Sequence, residues 1–116
     1  MDIRVETSAD GMTAWLSGEI DHHSARQLRE QVDSAVEHMG PKHLRLDFSG
    51  VSFMDSSGIG LIMGRYRLMR MYGGTLSVTG MSERIARVMR MAGLDKLGIL
   101  RTESRSEGGT NTERND

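Results

Sequence analysis

Apolar and polar residues alternate along the start of the chain, as they do in a strand with one buried face. Ile3 and Val5 alternate with Arg4 and Glu6. After a turn-forming segment at 9–11, the second run places its apolar side chains on one face: Met12, Ala14, Leu16 and Ile20. Because a period of two residues is typical of half-buried strands, the pattern predicts an antiparallel hairpin.

The next segment changes to a helical period. Apolar residues recur there at intervals of three and four, at Ala25, Leu28, Val32, Ala35, Val36 and Met39. Asp21 has the right chemistry for an N-cap, because its carboxylate can accept hydrogen bonds from the free backbone N–H groups of the first turn. Gly40 and Pro41 are typical of a helix end. The pattern predicts the first helix between Asp21 and Gly40.

Two further strand–helix units follow. HLRLDF at 43–48 alternates as a strand, and Ser49-Gly50 is typical of a turn. A short apolar run at 51–54 then leads into a second helix that ends near Gly73-Gly74. TLSVT is the next strand, Ser82 can cap a third helix, and the segment GIL is a weak edge strand.

The predicted order is therefore β-β-α-β-α-β-α with a weak final strand. Strand–helix–strand alternation implies parallel pairing, and the hairpin adds an antiparallel pair. We expect an α/β fold in a single domain over residues 1–101, with a mixed four- to five-stranded sheet packed against helices. Residues 102–116 carry no aliphatic or aromatic side chain, so we expect a disordered tail there.

Composition excludes several functional classes. A net charge of −1 and 4% aromatic residues argue against nucleic-acid binding as the main activity. The chain has no cysteine and no apolar run near the roughly 20 residues of a membrane span. Its first residues, MDIRVETSAD, are too charged for a signal peptide, so we expect a cytoplasmic protein without membrane association.

Serines and glycines crowd the start of the second helix, in the segment DSSGIGLIMG. The glycines at 58, 60 and 64 are spaced one residue too widely for a dinucleotide fingerprint, and no GK[ST] follows. Neither Ser56 nor Ser57 has the glycine two residues earlier that a nucleophile elbow requires. We therefore expect neither a dinucleotide site nor serine hydrolysis.

Charged side chains elsewhere offer weaker candidates. His22 and His23 point about 100° apart on a helix, which disfavours a shared metal ion and favours solvated side chains or a protein contact. Arginines recur along the second and third helices, at Arg65, Arg67, Arg70, Arg84, Arg87 and Arg90. Such spacing is typical of a solvated face, and a surface for an acidic partner is the alternative.

A serine at a helix start has two interpretations. It can cap the helix, which is common. It can also receive a phosphate, because the free N–H groups and the helix dipole favour a negative charge there. A phosphate would add about −1.5 to −2 charges at one exposed position beside Asp55.

Two stretches of the chain, taken together, resemble a known family. GEIDHHSA at 18–25 and SFMDSSGIGLIMGRY at 52–66 resemble the anti-sigma factor antagonists of the sporulation type, which are small single-domain STAS proteins. The similarity extends from about Ile3 to Leu100 and leaves out the tail.

The resemblance implies a STAS fold with no catalytic activity, no cofactor and no metal. Members of the family bind an anti-sigma factor that is also a serine kinase, and thereby release the sigma factor that it held. The kinase phosphorylates the antagonist, which then loses affinity until a serine phosphatase restores it. ATP belongs to the kinase.

Carried over to this chain, the resemblance implies phosphorylation of Ser56. It also implies a partner-binding surface that includes Asp21, His22, His23, Asp55, Ser57, Gly58 and Ile59. Periodicity favours the neighbouring serine, because Ser57 lies nearly opposite the core when the helix faces inward through Ile59, Ile62, Met63, Tyr66 and Met69. Following the resemblance, we predict Ser56 as the acceptor. The alternatives are an unmodified STAS scaffold in a signalling assembly and a nucleotide-binding STAS protein.

Overall fold

The structure is a computed structural model that describes residues 1–101. The tail at 102–116, which the sequence predicts to be disordered, lies outside the described residues. The strands are β1 (Asp2–Ser8), β2 (Gly11–Ile20), β3 (His43–Met54), β4 (Thr75–Thr79) and β5 (Leu100–Arg101). The helices are α1 (His22–Met39), α2 (Ser56–Met71), α3 (Glu83–Met91) and a 3-10 helix (Leu94–Leu97).

The strands form one mixed sheet in the order β1-β2-β3-β4-β5. β1 and β2 pair antiparallel as a hairpin, and the other three pairs are parallel. Each parallel pair is joined through an α-helix, as parallel strands require. The predicted α/β fold is confirmed, with five strands and with the weak final segment as an edge strand.

The core lies between the sheet and the helices. Alternate residues of the central strands are buried, as the period of two predicts: Met12, Ala14, Leu16, Leu44, Leu46 and Phe48. α1 contributes Leu28, Val32 and Val36 to the same cluster. Within residues 1–101, no helix is long and apolar enough to cross a membrane.

The predicted turn at Ser49-Gly50 is wrong, because β3 continues through it to Met54. The pairing of β3 with β2 shifts register next to this point, as it does at a β-bulge. A side chain on Gly50 would bring its Cβ to 2.7 Å from the Cβ of Ser17. This glycine therefore permits the close approach of two strands and does not form a turn.

The orientation predicted for α2 also needs correction. The residues that α2 buries are Gly58, Leu61, Ile62, Arg65 and Met69. Ile59, Met63 and Tyr66, which periodicity places inward, are only partly buried against the core. The helix is thus rotated about its axis relative to the predicted wheel, and this rotation changes which serine faces the solvent.

Candidate functional site

The two motifs singled out in the sequence meet at the carboxyl ends of β2 and β3. Ile20 is the last residue of β2 and is paired with Met54, the last residue of β3. The backbone N–H of Asp55 donates to the carbonyl of Ile20 at 3.1 Å. Since both strands end side by side, the starts of α1 and α2 are adjacent. The carboxyl ends of neighbouring parallel strands are a common position for binding sites in α/β proteins.

Asp21 caps α1, as predicted, through a reciprocal pair of hydrogen bonds. The N–H of Ser24 donates to Asp21 Oδ1 at 2.9 Å, and the N–H of Asp21 donates to Ser24 Oγ at 2.9 Å. The Ser24 hydroxyl also donates to the carbonyl of Glu19 at 2.8 Å. Two hydrogen bonds from Ser24 lower the pKa of Asp21: the backbone N–H has the larger effect and the side chain the smaller one. The buried Ser24, which the sequence did not point out, thus holds the loop that leads to His22 and His23.

Asp55 caps α2. Its Oδ1 accepts a hydrogen bond from the N–H of Ser57 at 2.8 Å. Ser56 and Ser57 are the first two residues of the helix itself. The interpretation of these serines as the helix cap is therefore wrong, because the preceding Asp55 is the N-cap. Both hydroxyl groups stand beside a capped helix start.

Exposure distinguishes the two serines. Ser56 is exposed, whereas Ser57 is half-buried. The helical wheel gives the opposite ranking, and its error follows from the rotation of α2. Gly58, in the same turn, is buried against the core. Ser56 is two residues earlier and therefore lies on nearly the opposite side of the helix, where it faces solvent.

Gly58 brings the helix start close to the sheet. A Cβ on Gly58 would overlap Met54 Cγ, lie 2.5 Å from Met54 Sδ and lie 3.5 Å from Ile20 Cγ2. Among the residues predicted to bind a partner, Gly58 is itself buried and Ile59 is half-buried. The structure therefore gives Gly58 a role in positioning the serine pair against β3.

Replacing Gly58 with alanine should destabilise the protein by about 1–3 kcal/mol, because the added methyl group overpacks the contact with Met54. Gly60→Ala is the matched control on the same helix, since a Cβ there meets nothing within 4 Å among the described residues. That control should be neutral or gain up to about 1 kcal/mol, because alanine is the better helix former. Urea unfolding of both variants measures the difference, and equal stabilities would contradict the close approach at Gly58.

The surface around Ser56 includes exposed polar groups of the first motif. Asp21, His22 and His23 are all exposed. Phe53, which belongs to the second motif, is 49% exposed although it lies in the apolar run at 51–54. No group of three or more His, Cys, Asp or Glu side chains in residues 1–101 is placed to hold a metal ion. The arrangement places the exposed Ser56 beside exposed polar side chains of the first motif.

The domain is a mixed five-stranded sheet with helices and with two capped helix starts side by side. The family described as "Mlab, STAS domain" matches residues 3–102. The chain belongs to the STAS domain family, in the group of the anti-sigma factor antagonists. This confirms the resemblance seen in the two sequence motifs.

Two relatives with curated functions are anti-sigma factor antagonists. The anti-sigma F factor antagonist of Paenibacillus polymyxa is 36% identical over 97 residues, which cover 84% of this chain and 83% of that protein. The anti-sigma-B factor antagonist of Bacillus subtilis strain 168 is 32% identical over 109 residues, which cover 94% and 96%. These relatives are binding proteins and not enzymes.

A solved protein shares the fold. The anti-sigma factor antagonist SpoIIAA in its unphosphorylated form superposes with a TM-score of 0.77 at 27% identity, covering 90% of both chains. SpoIIAA in its phosphorylated form gives a TM-score of 0.70 at the same identity of 27%, covering 90% of this chain and 93% of the other.

Proposed function

We propose that this protein is an anti-sigma factor antagonist that is switched off by phosphorylation of Ser56. In the unphosphorylated form it binds an anti-sigma factor that is also a serine kinase, and so releases a sigma factor for transcription. The observation that carries the proposal is the exposed Ser56 hydroxyl at the start of α2, directly beside the capped start of α1. That the neighbour SpoIIAA has a phosphorylated form supports it.

The local structure suits a phosphate that changes binding without unfolding the domain. A phosphate on the first residue of α2 lies where the helix dipole favours negative charge. The cap of α2 uses the carboxylate of Asp55 and not the serine hydroxyl, so modification of Ser56 leaves that hydrogen bond in place. About −1.5 to −2 added charges beside Asp55 and Asp21 then alter the potential of the contact surface.

The partner-binding surface in this proposal consists of exposed and half-buried side chains around Ser56. It includes Asp21, His22 and His23 of the first motif, and Asp55 and Ser57 of the second. We expect the protein to act in the cytoplasm, where sigma factors work, with ATP supplied to the kinase. A serine phosphatase returns the phosphorylated form to the binding state.

Phosphorylation mapping tests the proposal. The protein is incubated with its cognate anti-sigma factor kinase and ATP, and the phosphate is located by mass spectrometry. We expect one phosphate, on Ser56, in the wild type and in Ser57→Ala, and none in Ser56→Ala. Phosphate found on Ser57 alone would contradict the assignment of the acceptor, and absence of phosphate from the wild type would favour an unmodified scaffold.

A further inference from the structure

A groove runs between α1 and α2, beginning at the candidate site. Its walls carry one histidine and four arginines, together with one serine of the DSSG motif: His22, Arg26, Arg29, Ser57, Arg65 and Arg67. Gly60 and Gly64 form part of its floor. We call it the α1–α2 groove.

The charged side chains that line the α1–α2 groove are positive. Within residues 1–101, the side chains that line it include four guanidinium groups and no carboxylate. Asp33 lies outside the lining and forms an ion pair with Arg65. The other guanidinium groups have no such ion pair within the part of the chain that the structure describes. The groove therefore holds a concentration of positive charge on a chain whose net charge is −1.

Arg65 is the residue that sequence periodicity assigned to a solvated face, and that prediction is wrong. Arg65 is only 6% exposed. Its Nε lies 2.9 Å from Asp33 Oδ1, an ionic contact whose atoms are not aligned as a hydrogen bond. Its Nη1 is buried without a hydrogen-bond partner among residues 1–101. Because nearly all buried donors in proteins are paired, this guanidinium calls for an acceptor.

The charges around Arg65 also favour an added anion. Burial lowers the pKa of Arg65, while Asp33 raises it and the guanidinium groups of Arg29 and Arg67 lower it further. Asp33 therefore does not fully offset the burial of Arg65 and its repulsion from the other arginines. An additional anion in the groove would relieve both effects.

The shape of the groove indicates an elongated ligand. On α2, the lining residues Ser57, Gly60, Gly64 and Arg67 recur at intervals of three and four, so they form one stripe along the helix. That stripe covers about 15 Å at the rise of an α-helix. A Cβ added to Gly60 or Gly64 would meet nothing within 4 Å among the described residues. The groove thus has room for a chain of atoms along its length, with guanidinium groups spaced beside it.

We propose that the α1–α2 groove binds an acidic segment of a protein partner. Successive Asp or Glu carboxylates would pair with Arg26, Arg29 and Arg67, and their negative charge would also offset the buried charge of Arg65. Guanidinium groups suit this ligand because their planar fork binds a carboxylate through two parallel hydrogen bonds. A single small anion would require donors that converge on one position, whereas these donors are distributed along two helices.

A peptide-binding experiment tests the groove. Binding of a fluorescein-labelled decaglutamate peptide to the full chain is measured by fluorescence anisotropy at low salt. Arg26→Gln with Arg67→Gln removes two exposed groove arginines, and we expect at least a tenfold loss of affinity. Arg84→Gln with Arg87→Gln, on the exposed side of α3, is the matched control with the same change of net charge. The control should change affinity less than twofold.

Three results would overturn the proposal. One is equal weakening by both pairs of substitutions, which would indicate a general charge effect. The second is binding that does not saturate. The third is displacement of the peptide by inorganic phosphate at the same concentration of negative charge, which would indicate a site for a small anion. The assay contains no kinase and no ATP, so its failure leaves the phosphorylation of Ser56 unaffected, and failure of phosphorylation leaves the groove unaffected.

Discussion

Ser56→Asp should weaken binding to the anti-sigma factor kinase by at least about tenfold, which corresponds to about 1.4 kcal/mol. The substitution places a fixed negative charge on an exposed position between the carboxylates of Asp55 and the neighbouring loop with Asp21. When a partner covers this position, the added charge loses its water and has only like charges of this chain beside it, which opposes binding. Ser56→Ala adds no charge and removes only one methyl-sized polar group, so it should bind as the wild type does and no longer respond to the kinase. Isothermal titration calorimetry measures both affinities.

Thermal unfolding separates this effect from a loss of structure. An acidic residue in the first turn of a helix interacts favourably with the helix dipole, so Ser56→Asp should be as stable as the wild type or more so. Ser34→Asp, at an exposed position in the middle of α1, is the charge-matched control and should leave partner binding unchanged. Equal affinities for Ser56→Asp and Ser56→Ala would contradict a switch that acts through charge.

Local signals were sufficient to predict most of the elements. The alternation of apolar residues in β1 and β2 and the helical period of α1 depend only on neighbours in sequence. The caps at Asp21 and Ser82 are likewise local, because their side chains accept hydrogen bonds from backbone N–H groups a few residues away. Such features can be predicted without knowing which distant parts of the chain are in contact.

The features that sequence failed to predict depend on distant contacts. The Ser49-Gly50 pair has turn-forming chemistry, but pairing with β2 keeps it in a strand. Apolar residues occur on several sides of α2, so the period alone does not determine which side faces the core. That choice is made by packing against β3 and α1, and it decides both the exposure of Ser56 and the burial of Arg65. The meeting of the two motifs at Ile20 and Met54 depends on the register of β2 and β3. The resemblance implied that the motifs share one surface, whereas periodicity alone did not predict it.

Asp33→Ala should be more destabilising than Arg65→Met, although the two residues form one ion pair. The side chain of Arg65 is 8% exposed and that of Asp33 is 28% exposed. Removing Asp33 leaves a buried guanidinium without a counter-charge, which costs about 3–5 kcal/mol for fully buried pairs. We expect about 3 kcal/mol here, because the pair is partly accessible to water. Removing Arg65 leaves Asp33 Oδ1 buried without a counter-charge, but the Asp33 side chain is 28% exposed and water reaches part of it. Arg65→Met should therefore cost about 1–2 kcal/mol.

The pKa shifts of Asp33 and Arg65 support this difference between the two substitutions. Burial is the main cause that raises the pKa of Asp33 and the main cause that lowers the pKa of Arg65. For each group, the cost of desolvation therefore exceeds the attraction to its partner. For this reason we expect an apolar residue of similar size to be tolerated in place of Arg65. In urea unfolding, the double variant Asp33→Ala with Arg65→Met should recover most of the stability lost in Asp33→Ala. If Arg65→Met alone cost as much as Asp33→Ala, the ion pair would be a net source of stability and this account of Arg65 would be wrong.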